Sequence, residues 1–258
     1  MRIAVLMKQV PDLVEELEVA ADGTDVDREF LSFVTNEFDE HALEEALLVK
    51  EAAGGEVVVV ALDDPEVEQA LYTAIAKGAD RAVKLTGVDT SRWVSSHARA
   101  AVLAGWLRDQ GFDLVLTGVQ AADDLDGQLA ALLGATLGLP HVAVVVGVDP
   151  QDGAVAVHQE YGGGVLATLS VTLPAVFGVQ AARQAPRYAP ISRIRQAQQE
   201  GGIEEVAVSV AVDVGAGITV RRLSPPEQTG HAEMLSGSAE DVADRILALV
   251  RERGVLKG

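Results

Sequence analysis

Residues 113–140 read D-L-V-L-T-G-V-Q-A-A-D-D-L-D-G-Q-L-A-A-L-L-G-A-T-L-G-L-P, and the polar residues from Gly118 to Gln128 are the strongest candidates for chemistry in the chain. An apolar run at 114–116 stops at Gly118. A short loop then carries Gln120, Asp123, Asp124, Asp126 and Gln128, and an alanine- and leucine-rich stretch suited to a helix follows. Strand, polar loop and helix in that order aim backbone N–H groups and a helix N-terminus at an anionic ligand. The loop has no lysine or arginine, so a phosphate there would be held by backbone N–H groups, glutamine amides and the helix dipole. The same pattern also suits an ordinary surface loop, because one glycine at a strand end does not specify a ligand.

Composition removes other chemistries. The chain has no cysteine, which excludes disulfides, thiolate nucleophiles, iron–sulfur ligation and cysteine zinc sites together. Its five histidines (His41, His97, His141, His158, His231) are scattered with no H-x-x-x-H pair, so no metal site is expected. A net charge of −19 disfavours nucleic acid and anionic membrane surfaces, which reward the opposite sign. The apolar run at 3–7 is too short for a signal peptide and no stretch reaches membrane-spanning length, so a soluble, cytoplasmic protein is expected.

The elements that would position the loop alternate between strand and helix. Short β-branched runs at 3–7, 57–62, 81–85 and 114–117 read as strands. Helices are expected between them: from the cap Asn36 to Gly54-Gly55, from Pro65 to Gly78, and over 92–110. Short apolar strands bounded by helices on both sides make a parallel sheet buried on both faces, with ligands beyond its carboxyl edge. In the second half, 142–148, 154–159, 165–171 and 175–179 read as strands, two of them an edge hairpin. Residues 181–199 are rich in arginine and glutamine with Pro186 and Pro190 inside, and read as a protruding polar segment. After Pro225-Pro226 an amphipathic helix is expected at 239–253, showing Val242, Ile246, Leu249 and Val250 to another subunit or to its own chain.

Taken together, these motifs resemble the beta subunit of electron transfer flavoproteins along nearly the whole chain. The resemblance rests on Lys8-Gln9-Val10-Pro11-Asp12, on Asn36-Glu37-Phe38-Asp39 leading into Ala42-Leu43-Glu44-Glu45-Ala46, and on Gly78-Ala79-Asp80-Arg81. It continues through the 118–128 loop, Leu173-Pro174-Ala175-Val176, and Pro186-Arg187-Tyr188 before Ile191. It implies an α/β fold with a mostly parallel sheet and flanking helices, Rossmann-like and adenine-nucleotide-binding, with an edge hairpin and a C-terminal helix. Residues 1–224 would form the α/β domain, 181–200 its protruding recognition loop, and 225–258 an arm packing on the partner subunit. The partner would be an alpha subunit holding the redox FAD, while this subunit would hold AMP, or a second FAD in electron-bifurcating members.

Carried over by residue, the resemblance places the nucleotide against Leu6 and Lys8, against Asn36, Glu37, Phe38 and Asp39, against Leu62, and against the loop residues Gly118, Val119, Gln120, Ala121, Asp123, Asp124, Gln128 and Leu129. Asn36 reads equally as a plain helix cap, and Phe38 equally as a core residue or a wall for the alpha-subunit flavin. Ile191 would be an apolar knob entering a partner pocket, with Arg187, Tyr188, Arg193 and Arg195 around it. No side chain needs to act as acid, base or nucleophile. Electrons would pass from flavin dehydrogenases to a quinone reductase or another acceptor, through the cofactor. Two departures bear on the nucleotide: Asp63-Asp64 would repel a phosphate unless turned to solvent, and Ala130 stands where the family shows glycine. A ligase- or pyrophosphatase-type enzyme would need a phosphate loop with serine, glycine and basic residues after the first strand, which Lys8-Gln9-Val10-Pro11-Asp12 does not supply. A nucleotide-binding module without redox partners would match residues 1–140 but leave the 186–199 segment and the last helix unexplained.

Overall fold

The computed structural model describes residues 1–124, 126–208, 217–225, 232 and 234–255. The chain divides into two compact units, Met1–Leu223 and Ser224–Gly258. In the first unit the strands are β1 (Arg2–Leu6), β2 (Gln9–Pro11), β3 (Phe33–Thr35), β4 (Glu56–Leu62), β5 (Arg81–Thr86), β6 (Leu114–Gly118), β7 (His141–Gln151), β8 (Ala154–Tyr161), β9 (Val165–Thr172), β10 (Ala175–Val179) and β11 (Ile203–Ala207). Its helices are α1 (Glu37–Ala53), α2 (Val67–Lys77), α3 (Ser96–Leu107), α4 (Leu129–Leu137) and α5 (Ile191–Glu200).

A nine-stranded sheet runs in the order β11-β5-β4-β1-β6-β10-β7-β8-β9, parallel from β11 to β7 and antiparallel across β8 and β9. Strand residues alternate between two cores, as side-chain period two requires. Ile3, Val5, Val57, Val59, Leu114, Leu116 and Phe177 pack with Leu43 and Leu47 of α1 and Leu71 of α2. On the other face Ala4, Leu6, Val58, Val60, Leu62 and Val115 pack with Val102 and Leu103 of α3 and Leu133 of α4. Burial on both faces explains why these strands read as continuous apolar runs.

The structure differs from the expectations at several points. The edge carries a three-stranded meander, β7–β8–β9, rather than a hairpin, and β10 lies between β6 and β7. α3 starts at Ser96 with Ser95 as cap, its side chain accepting from the Ala98 N–H. The preceding turn is held out of the helix, where the Trp93 N–H donates to Asp25 Oδ2 at 2.9 Å. Two features had no strand-like pattern: the small β2–β3 pair, where Pro11 ends a three-residue strand, and β11, a half-exposed edge strand. The second unit contains α6 (Ala239–Glu252), one residue shorter at its end than expected. It is capped by a reciprocal Ser238–Asp241 box, and none of its residues is buried. Among the described residues no helix is long and apolar enough to cross a membrane. His231 lies outside them.

Candidate functional site

Three of the four expected segments meet at the N-terminus of α1. Asn36 precedes the helix as expected, but its side chain does not cap it. Its Nδ2 instead donates to the Gln120 carbonyl at 2.9 Å, and its N–H donates to the Lys8 carbonyl at 3.1 Å. Asp39, in the first turn, accepts from the Lys8 N–H through Oδ2 and from the Gly118 N–H through Oδ1, both at 2.9 Å. One carboxylate thus ties the ends of β1 and β6 to a helix start, where a negative charge is favoured. Gly118 is needed for this approach: a Cβ there would lie 2.5 Å from Asp39 Oδ1 and 2.7 Å from the Phe38 Cβ.

Asp39 is buried, and burial pushes its carboxyl up to about 7, against the two N–H donors and Lys8, which favour the charge. Between the ordinary carboxyl value of 3.8 and about 7 the folded chain keeps a proton that the unfolded chain has released. This group's contribution to stability is therefore full below pH 3.8 and is lost as pH rises through about 7. Asp39→Asn should cost about 1–3 kcal/mol at pH 8, where one of the two backbone N–H groups loses its acceptor. At pH 5 the cost should be larger, because the wild-type carboxyl then contributes the stability of its retained proton, which an amide does not titrate to gain. Urea midpoints of both proteins at the two pH values check this, and an equal penalty at both would refute it.

The loop is held from within. Lys8 Nζ, almost buried, pairs with Asp123 and, at 3.2 Å, with Asp124. Asp124 Oδ2 accepts from the Ala121 N–H at 3.0 Å, Trp93 Nε1 donates to the Asp123 carbonyl at 3.1 Å, and Ser96 Oγ donates to Asp126 Oδ1 at 2.7 Å. Val119 continues the sheet through its N–H to the Val179 carbonyl at 2.8 Å. Gln120 and Gln128 are exposed, and the Gln128 carbonyl begins α4 by accepting from Leu132. Leu6 and Leu62 turn their side chains into the sheet core, where Leu129 packs half-buried, so a ligand would meet Leu6 and Leu62 by backbone. Glu37 is exposed and Phe38 is half-buried. The loop residues that sequence singled out are thus gathered with Lys8 and the α1 start, while Leu62 sits one strand away in β4.

Asp64 does not turn to solvent as a phosphate would require. It is buried, and its two oxygens receive Arg99 Nη1 and Nη2 at 2.9 and 3.1 Å. Burial disfavours the Arg99 charge, yet Asp64, with the fields of Asp123 and Asp124, more than offsets it and holds the guanidinium protonated. Asp63 is exposed. The Ala130 Cβ packs toward the sheet, opposite Gly178, where an added Cβ would lie 3.2 Å from it. No Asp/Glu/His cluster suited to a metal occurs among the described residues.

For an adenine nucleotide the donor set is divided. Both nearby cations are already matched by carboxylates, so a phosphate would be left with the Gln120 and Gln128 amides and the N-terminal N–H groups of α4. Two buried acceptors, Gln9 Oε1 and Asp126 Oδ2, have no hydrogen-bond partner among the described residues, Gln9 lying beside the Glu66 carbonyl and Asp126 beside Ser96. The set fits a nucleoside with an amide-held phosphate. For a flavin ring, the 12–34 excursion supplies exposed apolar side chains at Leu13, Val14, Leu17, Phe30 and Val34, the kind that a flat aromatic system covers. A cavity of about 170 Å³ is lined by Leu13, Leu17, Val26, Trp93, Ala122 and Leu223 among others.

In the 181–200 segment, whose second half is α5 against α2, Tyr188 and Ile191 are 79% and 60% exposed, and Arg193 and Arg195 are exposed. Arg187 differs from its expected role. Its guanidinium is spent inside the chain, on Glu44 and Glu51 at 2.8 Å each. Sequence reading missed Glu44, Glu45, Arg183 and the Asp64–Arg99 pair. The signal for Glu44 and Glu45 was their place among the apolar Ala42, Leu43, Ala46 and Leu47, where a solvent-facing charge is out of pattern.

Comparison with known proteins adds a family. The family described as "Electron transfer flavoprotein domain" matches residues 26–211. A protein named "Electron transfer flavoprotein subunit beta" from Methylophilus methylotrophus is 34% identical, covering 98% of this chain and 98% of its own. One of the same name from Bradyrhizobium diazoefficiens is 30% identical over 99% and 100% of the two chains. A relative named "Electron transfer flavoprotein subunit beta, mitochondrial", from Arabidopsis thaliana, is 30% identical over 95% and 97%.

Proposed function

The chain belongs to the electron transfer flavoprotein family, and from that premise we propose that it is the beta half of a two-subunit electron carrier. The observation that carries the docking role is the pair Tyr188 and Ile191, large and exposed on a polar segment whose stem is fastened to the fold. A single aliphatic anchor inside a polar rim suits a carrier that must bind and leave quickly. The alpha subunit would hold the redox FAD, whose flavin supplies the electron transfer when bound. This chain would present Phe38 and the apolar 12–34 excursion to it, and α6 would pack on the same partner.

The chain's own residues have structural tasks. Asp39, Asn36 and Gly118 keep the α1 start and the loop in register, and Lys8 neutralises Asp123 and Asp124 so that the loop keeps its shape. With Lys8 and Arg99 both matched by carboxylates, the glutamine amides and the N-terminal N–H groups of α4 suit a single phosphate, which supports AMP as the nucleotide of this subunit. Denaturing the complex of this chain with its alpha subunit and quantifying released nucleotides tests it. One FAD with one AMP is expected; two FAD and no AMP would assign the bifurcating arrangement instead. Ile191→Ala should lower kcat/KM for reduction by a flavin dehydrogenase roughly ten- to thirtyfold, the loss of an interface anchor, with flavin content unchanged. A variant that lost flavin yet docked normally would sink the docking assignment.

A further inference from the structure

The docking segment is fastened to one face of α1 by its backbone as well as its side chains. His41 Nδ1 accepts from the Ala182 N–H at 3.2 Å. Glu45 is fully buried. Its Oε2 accepts from the Arg183 N–H at 3.1 Å, and its Oε1 accepts from Arg183 Nε at 2.9 Å and from the Val148 N–H at 2.7 Å. Glu44, 3% exposed, accepts from the Arg187 N–H at 2.9 Å and from Nε and Nη2 of the same guanidinium at 2.9 and 2.8 Å. The outer guanidinium nitrogens continue to Asp149 at 2.6 Å and Glu51 at 2.8 Å. Residues 41, 44 and 45 share a helix face, so one rigid element receives three backbone donors from a six-residue stretch.

That arrangement exceeds what surface ion pairing requires. A carboxylate that binds an arginine's N–H and guanidinium together fixes the path of the chain, and a buried carboxylate holds it more tightly than an exposed one. The other end of α1 carries Phe38 and, through Asp39, the ends of β1 and β6. We propose that Glu44 and Glu45 are positioning residues for electron delivery. They mount the stem of the docking segment on the helix whose first turn faces the flavin side, and so set the distance and angle at which a bound dehydrogenase presents its cofactor. Neither touches partner or flavin. A stem free to swing would still bind through Ile191 but would dock in many orientations, and misplacement of about 1 Å can cost up to about a hundredfold in rate.

This rests on the docking reading given above, and the test separates the two. The complex with the alpha subunit is prepared with Glu44→Gln, which leaves one acceptor and turns an amide N–H₂ toward the guanidinium. Amide hydrogen exchange across 182–190 should speed at least tenfold while that of β1 and β4 stays as in the wild type. With a flavin dehydrogenase that reduces the wild-type complex, kcat at saturating dehydrogenase should fall about tenfold, with flavin content retained. Ile191→Ala in parallel should act mainly on KM. Faster exchange with unchanged kcat would overturn the positioning role while leaving docking intact, whereas a silent Ile191→Ala would remove the docking reading itself. If Glu44→Gln fails to assemble, Arg187→Gln loosens the same stem from the other side and is read by the same criteria.

Discussion

Replacing Asp64 by alanine is expected to lower the unfolding free energy by about 3–5 kcal/mol, the range for breaking one side of a buried ion pair. Arg99 is 7% exposed, donates to both Asp64 oxygens in a bidentate fork, and has its Nε without a hydrogen-bond partner among the described residues. Without Asp64 the guanidinium would depend on Asp123 and Asp124, which are engaged with Lys8. Removing both partners should be far milder. Asp64→Leu with Arg99→Met replaces two desolvated charges by apolar volume, and is expected within about 1 kcal/mol of the wild type. Urea unfolding of the single and double variants decides it: a double variant as damaged as the single would mean that the pair carries more than its own charge balance.

Gly118→Ala should be the most damaging small substitution in the loop. The new Cβ meets a carboxylate oxygen at 2.5 Å and a side-chain carbon at 2.7 Å, distances that van der Waals contact forbids, so α1 or β6 must move. Overpacking of this kind costs typically about 1–3 kcal/mol. Here the movement also pulls Asp39 from the Gly118 N–H, so a loss of about 3 kcal/mol is expected, with weaker nucleotide retention in the complex. Thermal unfolding and nucleotide release measure the two effects. An alanine variant with wild-type stability would show that the α1 start and the loop are not rigidly joined.

The strands around the site were legible because both faces are buried, so each reads as an unbroken apolar run between helices. The loop after β6 was legible through its glycine and the change from apolar to polar residues. The role of that glycine was not, since what excludes a Cβ is Asp39, seventy-nine positions away. Asp64 and Arg99 are separated by 35 positions and Glu44 and Arg187 by 143, and no local period encodes a partner at such distance. Arg187 looked like a free docking cation for the same reason. Pattern reading identifies which residues should not face water, but the fold alone says what they meet. Likewise β10 was found as a strand while its neighbours were not, because alternation fixes the face of a strand and never its place in the sheet.

That place has a consequence for the order in which the chain can assemble. β10 is the sixth strand in line and separates β6 from the β7–β9 meander, although β7, β8 and β9 all precede it in the chain. As the polypeptide emerges during synthesis, β1, β4, β5 and β6 can zip together as soon as residue 118 is available. The meander can form its own antiparallel pairs, yet it has no edge to join until residues 175–179 arrive and fill the gap. The last-made half of the domain therefore closes on a keystone strand, and a ribosome pausing between residues 172 and 179 would leave two separate sheets, each with an open edge.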